Sequence, residues 1–169
     1  MKDFLNSLKK KKKPLGFLFL CSGNICRSPM AEMLFEKMAK EKGIQDQIIS
    51  TSGAVHFHNN SIMWETSRIL RDEGVADERI RKFFPRHIDV HPELLEADII
   101  LTMDKSHLRR IPQKYQSKSF LLSIFAGEPA VNIEDPYGGN IDSYRIIANE
   151  IKFYLDKILN NLIENNIFD

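Results

Sequence analysis

The sequence predicts an α/β fold, a doubly wound, four-stranded parallel sheet with helices on both faces. Two observations carry this expectation. Short apolar runs without polar alternation recur along the chain, as in strands buried on both faces. Stretches of helical periodicity separate them, the pattern of strand–helix crossovers.

The elements follow in order. Phe17 to Leu20 is a continuous apolar run bounded by Gly16 and Gly23, and it reads as the first strand. Pro29 to Lys42 reads as a helix with Met30, Met33, Leu34 and Met38 on its apolar face, stopped by Gly43. Ile48 to Thr51 is a second short strand. Ile62 to Glu73 is a second helix, with Ile69 and Leu70 inward, ended by Gly74. Ala97 to Thr102 is the third strand and Phe120 to Leu122 the fourth. The last long helix starts near Asp142, with an inward stripe of Tyr144, Ile147, Ile151, Tyr154, Leu155, Ile158 and Leu162.

The chain of 169 residues has the length of one ordinary domain, expected over 15–169. Residues 1–14 precede it as a basic N-terminal extension. The lysine run Lys9 to Lys13 is expected to be solvated. Met1, Phe4, Leu5 and Leu8 have helical spacing, so a short basic amphipathic helix on a partner or an anionic surface is the other reading. The apolar run after the lysines is too short for a secretory signal, and Pro14 interrupts the junction. Nothing approaches the ~20 apolar residues of a membrane span. A net charge of +1 gives no global reason to bind nucleic acid. The only cysteines are Cys21 and Cys26, five apart; this is neither a disulfide framework nor a zinc site, and a cytoplasmic, reducing compartment is expected.

The chemistry concentrates in Cys21-Ser22-Gly23-Asn24-Ile25-Cys26-Arg27-Ser28, between the first strand and the first helix. Open α/β sheets bind ligands beyond the carboxyl ends of their strands. A phosphate site is easiest to build there, because the first helical turn presents unpaired N–H groups and the positive end of its dipole. Gly23 and Asn24 both tolerate positive φ, which lets successive amides turn inward around an anion. Cys21 sits at the rim of that nest, whose field favours the reactive thiolate. Arg27 can grip two phosphate oxygens with its planar fork. Ser28 can donate a hydrogen bond to the sulfur.

This loop, with Pro29-Met30-Ala31-Glu32 after it, resembles the signature of the low-molecular-weight protein tyrosine phosphatase family, and the resemblance runs from about Leu15 to Leu162. It implies a two-step reaction with no cofactor and no metal. A thiolate at Cys21 attacks phosphorus to give a cysteinyl-phosphate, and water releases inorganic phosphate from it. The substrate implied is a phosphorylated protein or a small aryl phosphate. By the same resemblance, Asp135 in Asp135-Pro136-Tyr137 is the general acid, Asn24 fixes the loop, Phe57 and Tyr137 wall the substrate pocket, and Asp104 supports the loop. One departure stands out. Many members carry a histidine ahead of the third strand that bonds the loop asparagine. Here Phe83 falls at that register, with His87 nearby. His56, His58, His91 and His107 show no metal-ligand spacing.

Three other functions compete on the same sequence features. Arsenate reduction on such a loop passes oxidation through cysteines outside it, and this chain has none after Cys26. A catalytically dead phosphate-binding module requires loss of the nucleophile, the arginine or the acid, and all three positions are filled. Phosphoarginine hydrolysis belongs to a branch of the same family that the run from Asp135 to Tyr144 resembles. That branch uses threonine where Ile25 stands, and an apolar Ile25 favours packing an aromatic ring.

Overall fold

The computed structural model describes residues 1–168. The chain forms α1 (Lys2–Lys9), β1 (Leu15–Cys21), α2 (Arg27–Glu41), β2 (Ile48–Ala54), α3 (Trp64–Asp72), α4 (Asp77–Arg81), β3 (Ile99–Thr102), α5 (Lys105–Leu108), β4 (Ser119–Leu121), α6 (Leu122–Phe125) and α7 (Ile141–Glu164). The sheet has four strands in the order β2-β1-β3-β4. All three pairings are parallel. β1 is central, with β2 on one side and β3 on the other. The chain therefore changes direction beside the end of β1, and a crevice opens there.

Alternate residues of β1 serve opposite layers. Phe17, Phe19 and Cys21 pack with α2 and α7, whereas Leu18 and Leu20 pack with Ile88, Leu94, Ile100 and Ile111. Both sets are buried, which is why the strand reads as an unbroken apolar run. The two layers are unequal. Long helices cover the first face, while short 3-10 turns at Pro92–Glu96 and Gln113–Lys118 lie on the second. The stripe expected on the last helix is buried throughout, from Tyr144 to Leu162.

Lys9 to Lys12 are exposed, but α1 is docked on the fold. Leu8 is buried, and Phe4 lies 4.9 Å from Phe120 and 6.2 Å from Phe125, centroid to centroid. The helical spacing of Phe4, Leu5 and Leu8 thus serves this chain's own core. No helix among the described residues is long and apolar enough to cross a membrane.

Candidate active site

β1 ends at Cys21 and α2 begins at Arg27, so the chain reverses within residues 22–26. Asn24 takes a left-handed φ of 55°, a conformation asparagine tolerates. Gly23 does not share it, contrary to the sequence expectation. A Cβ there would stand 2.7 Å from Asn59 Nδ2, so any side chain at this position would displace the amide that donates to the Gly23 carbonyl at 3.0 Å. The Ser22 carbonyl points away from the loop's interior and accepts from the N–H groups of His56 and Phe57 at 3.0 and 2.9 Å. Among the described residues, none of the backbone N–H groups from Ser22 to Ser28 donates to another group. Such a run of unpaired amides at a helix start is a nest for an anion.

Beneath the nest lies a chain of polar side chains whose protons can be assigned from their partners. Asn24 is fully buried. Its Nδ2 donates both hydrogens, to Ser28 Oγ and to Ser52 Oγ, each at 2.8 Å. Its Oδ1 accepts the Arg86 N–H at 2.9 Å. Ser52 then donates its own proton to Glu32 Oε2. Ser28 has Cys21 Sγ at 3.0 Å and the Gly53 carbonyl at 3.5 Å. A thiolate takes the Ser28 proton at the shorter distance; a thiol would donate to Ser28 and send its proton to Gly53. Glu32 Oε1 accepts from Arg79 Nη2 at 2.6 Å, and Arg79 also grips Glu36. Burial raises the Glu32 carboxyl above its ordinary range, with Ser52 and Arg79 opposing. One donor on each oxygen is the pattern of an ionised carboxylate. Neither Phe83 nor His87 bonds Asn24; Ser52 and the Arg86 backbone do.

Arg27 lies across the crevice, nearly fully buried. Its Nη1 donates to the Ile133 carbonyl at 2.8 Å and lies 3.5 Å from Asp104 Oδ2. Its Nη2 is 3.4 Å from Ser22 Oγ and 3.3 Å from Asp135 Oδ2. Its Nε is buried without an acceptor. His107 lies beneath Ser22. Its Nδ1 accepts the Asp104 N–H at 3.2 Å, so its proton sits on Nε2 and is donated to Ser22 Oγ at 2.9 Å. Burial and the nearby Arg27 charge hold His107 neutral, lowering its pKa to about 4. With two donors on its oxygen, the Ser22 hydroxyl proton is free to point into the crevice. Burial alone would raise the Asp104 carboxyl, but hydrogen bonds from Ser106 and His107 keep it below its ordinary value.

A cleft of about 390 Å³ opens over the nest, and Ile25, Phe57, Tyr137, Asp135, Ser22 and Gly23 all line it. Phe57 and Tyr137, 65% and 64% exposed, project from separate loops. The Asp135 loop is tight. Asp135 Oδ1 accepts the Tyr137 N–H at 3.1 Å, Gly138 adopts φ 82°, and Asn140 caps α7. Cys26 does not face the cleft. It is buried against Tyr144, 3.5 Å from that hydroxyl, and burial pushes its thiol up to about 12. Ile25 is anchored through its carbonyl, which accepts from Thr66 Oγ1 at 2.9 Å.

Glu32, Ser52, Arg79, Asn59 and the role of His107 were missed from the sequence. Glu32 alone carried a signal, because it closes the Pro29–Glu32 run that accompanies the loop. Among the described residues, His58, His87 and Asp89 come nearest to a metal cluster, with ligand atoms within 4.8 Å of one another. The two rings stack at 4.0 Å and 18°, which sets their lone pairs side by side, and His87 Nδ1 already accepts the Asp89 N–H.

Known proteins resemble this chain over most of its length. A protein from Staphylococcus epidermidis named low molecular weight protein-tyrosine-phosphatase PtpB is 32% identical, over 85% of this chain and 96% of its own. A protein-arginine-phosphatase of Bacillus subtilis is 28% identical, over 88% and 97%. The crystal structure of a low molecular weight protein tyrosine phosphatase from T. tengcongensis superposes with a TM-score of 0.76, at 30% identity, covering 87% of this chain and 99% of that one. The family model of the low molecular weight phosphotyrosine protein phosphatases matches residues 16–167, nearly the whole chain, and the chain belongs to that family.

Proposed function

We propose that this chain hydrolyses phosphotyrosine and related aryl phosphate monoesters, with Cys21 as nucleophile, Arg27 as phosphate clamp and Asp135 as general acid and base. The observation that carries the reading is the nest itself. The unpaired amides from Ser22 to Ser28, the orphan Arg27 Nε and the free Ser22 proton all lack an acceptor that a phosphoryl group supplies. The Cys21 thiolate attacks phosphorus as the ester P–O bond breaks, and Asp135, in its acid form, gives the leaving oxygen its proton. Water then attacks the cysteinyl-phosphate while Asp135 takes its proton. The S–P bond breaks, inorganic phosphate leaves, and the Ser28 hydroxyl stabilises the departing sulfur. Asn24, Gly23 and Cys26 hold the loop's shape.

Ile25, Phe57 and Tyr137 around the cleft support an aromatic leaving group, since a flat ring gains apolar burial and about 0.5–1.5 kcal/mol per aromatic pair there. The unit 15–169 acts as one phosphatase domain with the basic segment 1–14 docked onto it. Dependence on a free thiol supports a reducing, cytoplasmic setting.

The test is kcat/KM for matched phosphotyrosine, phosphoserine and phosphoarginine peptides, with Cys21→Ser as control. Phosphotyrosine is expected to be the best substrate. Cys21→Ser is expected to retain phosphate affinity with turnover below about 1% of wild type. A wild type that prefers phosphoarginine would show that Ile25 does not select an aromatic ring.

A further inference from the structure

A second groove of about 170 Å³ adjoins the catalytic cleft and shares Gly23, Phe57, His58 and Asn59 with it. Phe84 and Val90 stand on its far wall, 60% and 63% exposed. Single exposed apolar side chains are ordinary on a protein surface, but these two and Phe57 gather around one concavity that opens onto the cleft. The floor is rigid. The His58 and His87 rings are stacked, and Ala54 bridges to His87 in parallel register. Arg86 on the same wall makes no ion pair among the described residues.

From the continuity of the two cavities we infer that the groove is a substrate subsite. It receives a bulky apolar side chain within two residues of the phosphotyrosine, which makes the preferred substrate a polypeptide rather than a free aryl phosphate. The inference rests on the phosphatase reading above. A ring held between Phe57 and Tyr137 with its phosphate in the nest leaves the polypeptide at the cleft mouth. An extended chain advances about 3.3 Å per residue, so its neighbouring side chains come over the adjoining groove. Phe84 and Val90 are then covered by the substrate, and their burial contributes to peptide binding without touching the reacting atoms.

The experiment compares two phosphotyrosine peptides that differ only in leucine or alanine at the flanking positions, on the wild type and on the Phe84→Ser/Val90→Ser double variant, with p-nitrophenyl phosphate as a third substrate. Both replaced side chains are exposed, so the fold is expected to survive. The wild type is expected to prefer the leucine peptide by about tenfold in kcat/KM, the size of one partly buried apolar side chain. The double variant should lose that preference while hydrolysing p-nitrophenyl phosphate as the wild type does. Equal rates on the two peptides in the wild type, or a leucine preference that survives in the variant, overturn the subsite. So does a p-nitrophenyl phosphate rate that falls in step with the peptide rate. A wild type inert towards p-nitrophenyl phosphate overturns the phosphatase reading and the subsite with it, an outcome distinct from the others.

Discussion

Replacing Glu32 by glutamine removes an acceptor from a place that has two donors. Glu32 is 4% exposed; Oε2 takes the Ser52 hydroxyl and Oε1 takes Arg79 Nη2 at 2.6 Å. Glutamine offers one oxygen. If that oxygen faces Arg79, the amide N–H points at Ser52 Oγ, which already receives Asn24, and the Ser52 proton is left without an acceptor. If it faces Ser52, the amide N–H points at a guanidinium. An unmade buried hydrogen bond costs about 1–3 kcal/mol, and breaking a buried ion pair about 3–5 kcal/mol. Arg79 keeps Glu36, which places the loss at the lower end, about 2–3 kcal/mol. In a domain of this size, 1 kcal/mol moves Tm by about 2–4 °C, so the melting temperature should fall by about 4–12 °C. The direction of the Ser28 proton also depends on Asn24, and through it on Ser52. Loss of a charge-assisted hydrogen bond to sulfur, about 1.5–3 kcal/mol, corresponds to a tenfold to hundredfold fall in kcat. Calorimetry and p-nitrophenyl phosphate kinetics on wild type and Glu32→Gln measure both. Burial disfavours the Glu32 charge, so the opposing outcome is well defined. An unchanged or raised Tm with normal kcat would show that desolvation outweighs the pairing and that the relay does not orient the loop.

Three further expectations follow from the site. Asp135→Ala should slow aryl phosphate hydrolysis by about 10²–10⁴, with the loss shrinking for leaving groups of low pKa; uniform losses across a leaving-group series would exclude Asp135 as the acid. His107 is held neutral by burial and by Arg27, with its pKa lowered to about 4 from an ordinary value near 6.5. Below that ordinary value the unfolded chain binds a proton that the native state refuses. Its stabilisation is therefore complete above about pH 6.5 and lost as pH falls toward 4, about 3 kcal/mol in all. His107→Gln keeps a donor for Ser22 and removes the titration, so urea midpoints should fall less steeply across that window; identical slopes would refute the assignment. Ile25→Thr, which adds a hydroxyl and removes packing surface, should shift kcat/KM from phosphotyrosine toward phosphoarginine peptides, and an unchanged ratio would remove Ile25 from specificity.

The sheet and the loop were legible in the sequence because both are local patterns. β1 buries both faces, and no polar residue interrupts it. α7 carries its stripe at helical spacing. β2 runs on through Ser52, Gly53 and Ala54, which have little strand preference of their own; pairing with Phe19, Leu20 and Cys21 holds them. α4 is a single turn with no apolar period to announce it. The residues that set proton directions under the loop were not legible, for a different reason. Ser22 and His107 are 85 residues apart, and Arg79 reaches Glu32 across 47. No spacing rule links such pairs before the fold brings them together. Gly23 lacks the positive φ that its sequence context suggests; what lies against it is a neighbouring side chain. That neighbour, Asn59, lies on a different loop.

The nest and the cleft walls come from different parts of the chain. The unpaired amides and Arg27 are contiguous between Cys21 and Ser28, whereas Phe57 and Tyr137 arrive on separate loops and are largely exposed. In evolutionary terms this is a modular division. The exposed side chains of Phe57 and Tyr137 are freer to change than the backbone of their loops, which Ser22 and Asp135 hold through hydrogen bonds. The catalytic segment cannot drift without disturbing the Asn24–Ser52–Glu32 chain below it. One frame can therefore be refitted to different leaving groups by editing the exposed wall residues together with Ile25, whose side chain reaches the cleft from within the loop.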